Sequence, residues 1–106
     1  MEYKMFYYNN SVEAGVEKWP AGVYASFIKI TEMMKNAGPN LGMPYTRPLG
    51  QGLFEIRARG AEGIGRAFFC SVINRRVIIL HEIIKKTPKT PPKDIRIARK
   101  RQKEIT

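Results

Sequence analysis

The sequence has one cysteine, Cys70, one histidine, His81, and one aspartate, Asp94, in 106 residues. A lone cysteine excludes an internal disulfide. A zinc site needs three or four clustered ligands, so neither a metal nor another cofactor is expected. A Ser-His-Asp or Cys-His nucleophile would hang on His81 alone, and a histidine inside an apolar strand is more often a satisfied sheet residue. No apolar run approaches the roughly 20 residues that span a bilayer. The opening Met-Glu-Tyr-Lys-Met lacks the basic-then-apolar order of a signal peptide, so no membrane partner and a cytoplasmic location are expected. Repeats and low-complexity tracts are absent. Gly60, Gly63 and Gly65 join two strands and do not open a helix, so they do not form a phosphate-cradling loop.

What is present is apolar substance and positive charge. The hydrophobic share, 43%, suits a globular chain, and the length suits one small domain over residues 1–106. The net charge of +10 is unevenly spread. Residues 85–106 carry nine Lys/Arg against two acids, and residues 1–84 carry ten against seven. Such an imbalance suggests a polyanionic partner, although a solvated helix face is the plainer reading of a basic tail alone.

Residues 3–8, rich in aromatics, predict a first strand. Asn9, Asn10 and Ser11 offer N-cap side chains for a short helix through Val12, Val16 and Trp19. Pro20 suits the first turn of a second helix, whose stripe of Val23, Phe27, Ile30 and Met34 faces a core until Gly38 and Pro39 end it. Residues 38–52, rich in Gly, Pro and Asn, read as a loop. Residues 53–59 alternate, with Phe54, Ile56 and Ala58 on one face and Glu55, Arg57 and Arg59 on the other. A turn at 61–65, a strand at 66–73, a tight turn at Asn74-Arg75 and a doubly apolar strand at 76–84 complete an antiparallel meander. Thr90 can cap a last helix, with Pro91 and Pro92 in its first turn and Ile95, Ala98, Gln102 and Ile105 as a weak apolar stripe. The expected order is β-α-α-β-β-β-α. This is an α+β fold with a mainly antiparallel four-stranded sheet and its helices on one face.

Chemistry is then left to cations. Arg57 and Arg66 lie on neighbouring strands joined by a short hairpin, and Lys85 and Lys86 close the third strand of the meander. RNA can be cleaved without a metal when the ribose 2′-OH attacks the adjacent phosphate and fixed cations stabilise the developing charge. A lysine among cationic neighbours could also act as general acid or base. The plainer alternative is that Arg57 and Arg66 are exposed strand residues paired with Glu55 or Glu62. Lys89, Lys93, Arg96, Arg99, Lys100 and Arg101 line the basic tail as candidate phosphate contacts.

Three stretches carry a resemblance. Gly52-Leu-Phe-Glu-Ile-Arg57, then Arg66-Ala-Phe-Phe69, then Leu80-His-Glu-Ile-Ile-Lys-Lys-Thr-Pro-Lys-Thr-Pro-Pro-Lys-Asp-Ile95 resemble the HigB branch of the RelE/ParE toxin superfamily, in order and spacing, over about residues 46–104. The resemblance implies a RelE-like fold and a ribosome-dependent, metal-free mRNA endonuclease. It also implies a cognate antitoxin, often a helix-turn-helix protein, as partner beside the ribosome and mRNA. It aligns Arg57, Arg66, Lys85 and Lys86 with the family's basic site, Arg66 foremost. Gly65 stands where the family's tyrosine before this arginine usually is, and Glu55 where RelE has a lysine. Two other readings remain: a ParE-like poison of DNA gyrase without nuclease action, and an RNA-binding module without catalysis.

Overall fold

A computed structural model describes residues 2–106. Lys4, Met5, Phe6 and Tyr7, exposed and part-buried in alternation, build β1 (Lys4–Tyr7), which pairs in parallel with β5 (Arg76–Lys85). Asn9 then caps α1 (Asn10–Glu17) by accepting a hydrogen bond from the Val12 amide at 2.9 Å, which satisfies one of the orphan donors of the first turn. Pro20 stands at the N-cap of α2 (Ala21–Ala37), one position earlier than the first helical turn. Gly38, at φ 95°, ends that helix in a conformation that costs a Cβ-bearing residue strain.

Thr46–Gly50 forms β2, where a loop was expected. It pairs antiparallel with β3 (Leu53–Gly60), Arg47 lying opposite Glu55. Pro48 disguises this strand, because proline cannot donate to a ladder and is tolerated only where one edge is unpaired. β2 is such an edge. The sheet therefore has five strands in the order β1-β5-β4-β3-β2, with β4 (Gly63–Val72) in the middle. The meander β3-β4-β5 is antiparallel as read from the sequence. Asn74 and Arg75 both take positive φ, 62° and 56°, as a two-residue turn matched to strand twist requires.

The expected helical pair, α1 and α2, lies together on one face, whereas the last helix departs to the other. α1 and α2 cover one face with Val12, Val16, Val23, Phe27, Ile30 and Met34 against Ile56, Ala58, Ala67, Phe69, Val77 and Ile79. The last helix, α3 (Pro92–Ile105), covers part of the other, with Ala98 and Ile95 against Leu53, Phe68, Cys70 and Leu80. This arrangement hides both faces of most of β4 from water and buries Val77, Ile79 and Leu80 of β5, and each fully buried large side chain contributes about 1.5–3 kcal/mol. A bulge in β5 leaves Leu80 as the extra residue between Ile79, opposite Phe69, and His81, opposite Phe68. Burial raises the Cys70 thiol pKa and leaves it an inert core residue. No helix among the described residues is long and apolar enough to cross a membrane.

Candidate functional site

The polar side of β3 is covered at Glu55 and Arg57, and only Arg59, at its end, faces solvent. Leu53, Glu55 and Arg57 point to the α3 side of the sheet, and there the chain between β5 and α3 passes over them. Arg57 lies directly opposite Arg66 across the β3–β4 ladder. Residues so placed have Cβ atoms about 4.5–5.5 Å apart, and like charges in that relation repel. Both are nonetheless buried: Arg66 is 0% exposed, Arg57 5%, and Glu55 0%.

Their partners explain how this is tolerated. The Arg57 Nη1 donates to Glu55 Oε1 at 2.5 Å, and its Nη2 donates to the Pro88 carbonyl at 2.9 Å. Arg66 donates from Nη1 to the Ile64 carbonyl at 3.2 Å and from Nη2 to the Thr87 carbonyl. Glu55 also accepts from Arg47 at 3.3 Å and from the Thr90 hydroxyl at 3.1 Å. Thr90 thus clasps the segment to the sheet and does not cap α3, whose N-cap position is Pro91 with no side-chain bond. Two guanidinium groups, those of Arg47 and Arg57, bond this one carboxylate while Arg66 does not, and the Nε atoms of Arg47, Arg57 and Arg66 are buried without a hydrogen-bond partner among the described residues. Burial first, and the charge of Arg57 second, lower the Arg66 pKa from its ordinary value, with Glu55 opposing them.

Arg57 and Arg66, expected on neighbouring strands of a short hairpin, come together as a directly opposed pair. The Arg57–Glu55 ion pair raised as the plainer alternative is also present, but it is buried, not exposed. Lys85 and Lys86 stand exposed where β5 ends, outside the hydrogen-bonded cluster. On and before α3, Lys89, Lys93, Arg96 and Lys100 are exposed. Arg99 and Arg101 are tied inward. Arg99 donates to the carbonyls of Leu49 and Gly50 at 2.6 and 2.7 Å, and Arg101 donates to the Leu80 carbonyl at 2.7 Å with its guanidinium over the Tyr8 ring. They pin α3 to the sheet. His81 is satisfied: it stacks on Phe68 and meets Asp94 at 2.8 Å, linking β5 to the first turn of α3.

Two members of the cluster escaped the sequence reading. Arg47 is not legible because Pro48 gives residues 38–52 the pattern of a loop, which offers no register opposite Glu55. Thr90 was legible as a polar residue before a helix, but its partner is 35 positions away. Gly65, where the resemblance led one to expect tyrosine, has a local cause. A Cβ there would stand 2.5 Å from the Trp19 ring, so an indole from the end of α1 fills the space on that side of the sheet. The Trp19 Nε1 donates to Glu82 at 2.7 Å, which fixes the ring.

Comparison with known proteins agrees with this architecture. The archaeal RelE–RelB complex from Pyrococcus horikoshii OT3 contains a chain of similar fold, with a TM-score of 0.53 at 17% identity, covering 79% of this chain and 96% of that one. Among curated proteins no sequence match is found. The model of the family described as "Phage derived protein Gp49-like (DUF891)" matches residues 15–103. The protein belongs to this Gp49-like family and shares the fold found in the RelE–RelB complex.

Proposed function

We propose that this protein is the toxin of a type II toxin–antitoxin pair, of the HigB kind, and that it cleaves mRNA on the ribosome without a metal. The observation that carries the reading is the buried cross-strand pair Arg57 and Arg66, with a single carboxylate, Glu55, bonded to Arg57 and to the partly exposed Arg47. Planar guanidinium forks suit the oxygens of a phosphodiester, and in a site shielded from water fixed cations stabilise developing charge far better than in solution. In the proposed reaction the 2′-oxygen bonds to phosphorus and the P–O5′ bond breaks, giving a 2′,3′-cyclic phosphate and a 5′-hydroxyl. Glu55 takes the 2′-hydroxyl proton, Arg66 and Arg57 hold the non-bridging oxygens, and Lys86, on the solvent side, supplies a proton to the leaving oxygen. Lys85 positions the substrate. The exposed Lys89, Lys93, Arg96 and Lys100 contact ribosomal RNA through phosphates.

A RelE chain of the same fold is found in complex with RelB, which supports an antitoxin, expected to be a helix-turn-helix protein, as this protein's partner. The test is ribosome-dependent cleavage of a defined mRNA. Losing one fixed donor to developing charge costs on the order of 100- to 1000-fold in rate, so Arg66→Ala should lose about that much and Arg66→Lys less. Near wild-type cleavage by a folded Arg66→Ala protein refutes the site. Growth arrest with intact mRNA and inhibited gyrase replaces the nuclease by a gyrase poison, and ribosome binding with neither effect leaves a bare RNA-binding module.

A further inference from the structure

The chain from Lys86 to Pro91 crosses the arginine pair in an unusual way. Lys86, Thr87, Pro88 and Lys89 are all exposed, so these four side chains contribute little apolar burial to hold the segment down. What holds it is polar: the Thr87 carbonyl on Arg66, the Pro88 carbonyl on Arg57, and the Thr90 hydroxyl on Glu55. Pro88, Pro91 and Pro92 have no N–H and cannot join the adjacent ladder. The two carbonyl oxygens therefore occupy the guanidinium forks as neutral acceptors.

The cluster under the segment still has unmet demand. Arg57 and Arg66 are buried, the one carboxylate of the cluster, Glu55, bonds Arg57 and the partly exposed Arg47 but not Arg66, and three Nε atoms have no partner among the described residues. Excess buried charge is costly, and an ionised acceptor makes hydrogen bonds roughly twice as strong as a neutral one. A phosphate group would supply what the carbonyls do not. It offers two oxygens for two forks and a negative charge to offset the surplus.

We propose that residues 86–91 are a lid that keeps an oxyanion site closed with its own backbone carbonyls, and that a phosphodiester displaces them. The free toxin is then largely self-occluded, and the site opens when nucleic acid competes for Arg57 and Arg66. This rests on the nuclease reading for the identity of the phosphodiester, while the lid itself rests on the hydrogen bonds.

Trypsin reports the opening, because the Lys86–Thr87 and Lys89–Thr90 bonds lie within the lid, and cleavage tracks the open population when closing is fast. The probes are a short single-stranded 2′-O-methyl RNA, which cannot be cleaved, and inorganic phosphate, both at constant ionic strength with chloride as control. The oligonucleotide should speed cleavage at both bonds saturably. Phosphate should do so at higher concentration if a lone oxyanion suffices, and its failure alone assigns the site to a phosphodiester within a strand. Thr90→Val, which removes the clasp on Glu55, should raise cleavage about tenfold without any anion, the size of one hydrogen bond to a charged group. Unchanged or slower cleavage with the oligonucleotide overturns the lid, and so does a folded Thr90→Val protein cut at the wild-type rate. If Thr90→Val does not fold, the wild-type oligonucleotide series decides alone. A lid that opens in a protein that cuts no mRNA leaves the proposal standing and removes the nuclease. Ribosome-dependent cutting with an unresponsive segment does the reverse.

Discussion

Replacing Glu55 by glutamine removes the one charge that offsets a buried guanidinium pair. Arg57 would retain the Pro88 carbonyl and the amide oxygen of the new side chain, but no counter-charge. Breaking a buried ion pair from one side typically costs about 3–5 kcal/mol, and the retained amide acceptor places Glu55→Gln near the lower end, about 3 kcal/mol. Arg57→Met acts on the same pair from the other side and leaves a better-served survivor. Glu55 would keep Arg47 at 3.3 Å and the Thr90 hydroxyl at 3.1 Å, so the expected loss is smaller, about 2 kcal/mol. The double variant removes both charges and should cost less than the two losses added together, by at least about 1 kcal/mol. Urea unfolding followed by circular dichroism measures all three, provided the slope with denaturant is unchanged. Additivity within about 0.5 kcal/mol, or Arg57→Met costing more than Glu55→Gln, would refute the argument.

Four further outcomes follow from other parts of the molecule. Gly65→Ala should destabilise by about 1–3 kcal/mol, because its methyl would overlap the Trp19 ring, and the loss should shrink in a Trp19→Phe background; an unchanged melting point contradicts the packing. The Tyr7 pKa is raised from 10.0 to about 12, chiefly by burial and then by Tyr24, Glu13 and Glu17. Stability tied to its neutral form is complete below pH 10 and is lost as pH rises through about 12, since the unfolded tyrosine ionises first. After discounting for a half-exposed ring this is about 1–2 kcal/mol, so Tyr7→Phe should flatten the fall in stability over that window, as read by unfolding at successive pH values. Changing Lys89, Lys93, Arg96 and Lys100 to Gln should lower the salt dependence of ribosome affinity, by up to about 0.7–0.9 in slope for each phosphate no longer neutralised. Arg99→Gln and Arg101→Gln should instead lower stability, because these side chains hold sheet carbonyls; a change in salt slope without loss of stability reverses that assignment.

Much of the chain was legible locally. The 4-3-4 stripe from Val23 to Met34 set α2, Asn9 set the start of α1, and Asn74-Arg75 set the β4–β5 turn. Each depends on contacts or dihedrals within a few residues, or on a period that one buried face imposes. The alternation from Phe54 to Arg59 sorted the faces of β3 correctly, and it brought Arg57 and Arg66 under consideration together. The Leu80–Ile95 stretch carried the family resemblance.

What local pattern could not supply was the partner across space. Pro48 made β2 look like loop, because a proline's fitness for a strand depends on whether that strand is an edge, which only sheet order decides. The side of the sheet taken by α3 was equally hidden: a helix with a weak apolar stripe fits either face, and the unsatisfied apolar surface of β4 and β5 selects one. Polar residues at 55, 57 and 66 read as solvent-facing because charge is usually left in water. The tertiary structure buries them beneath residues 86–91, where a carboxylate from the neighbouring position and two backbone carbonyls from over 20 residues away together replace the lost hydration. Composition determines how many such groups a chain holds, but only the closed fold brings together the partners that make their burial tolerable.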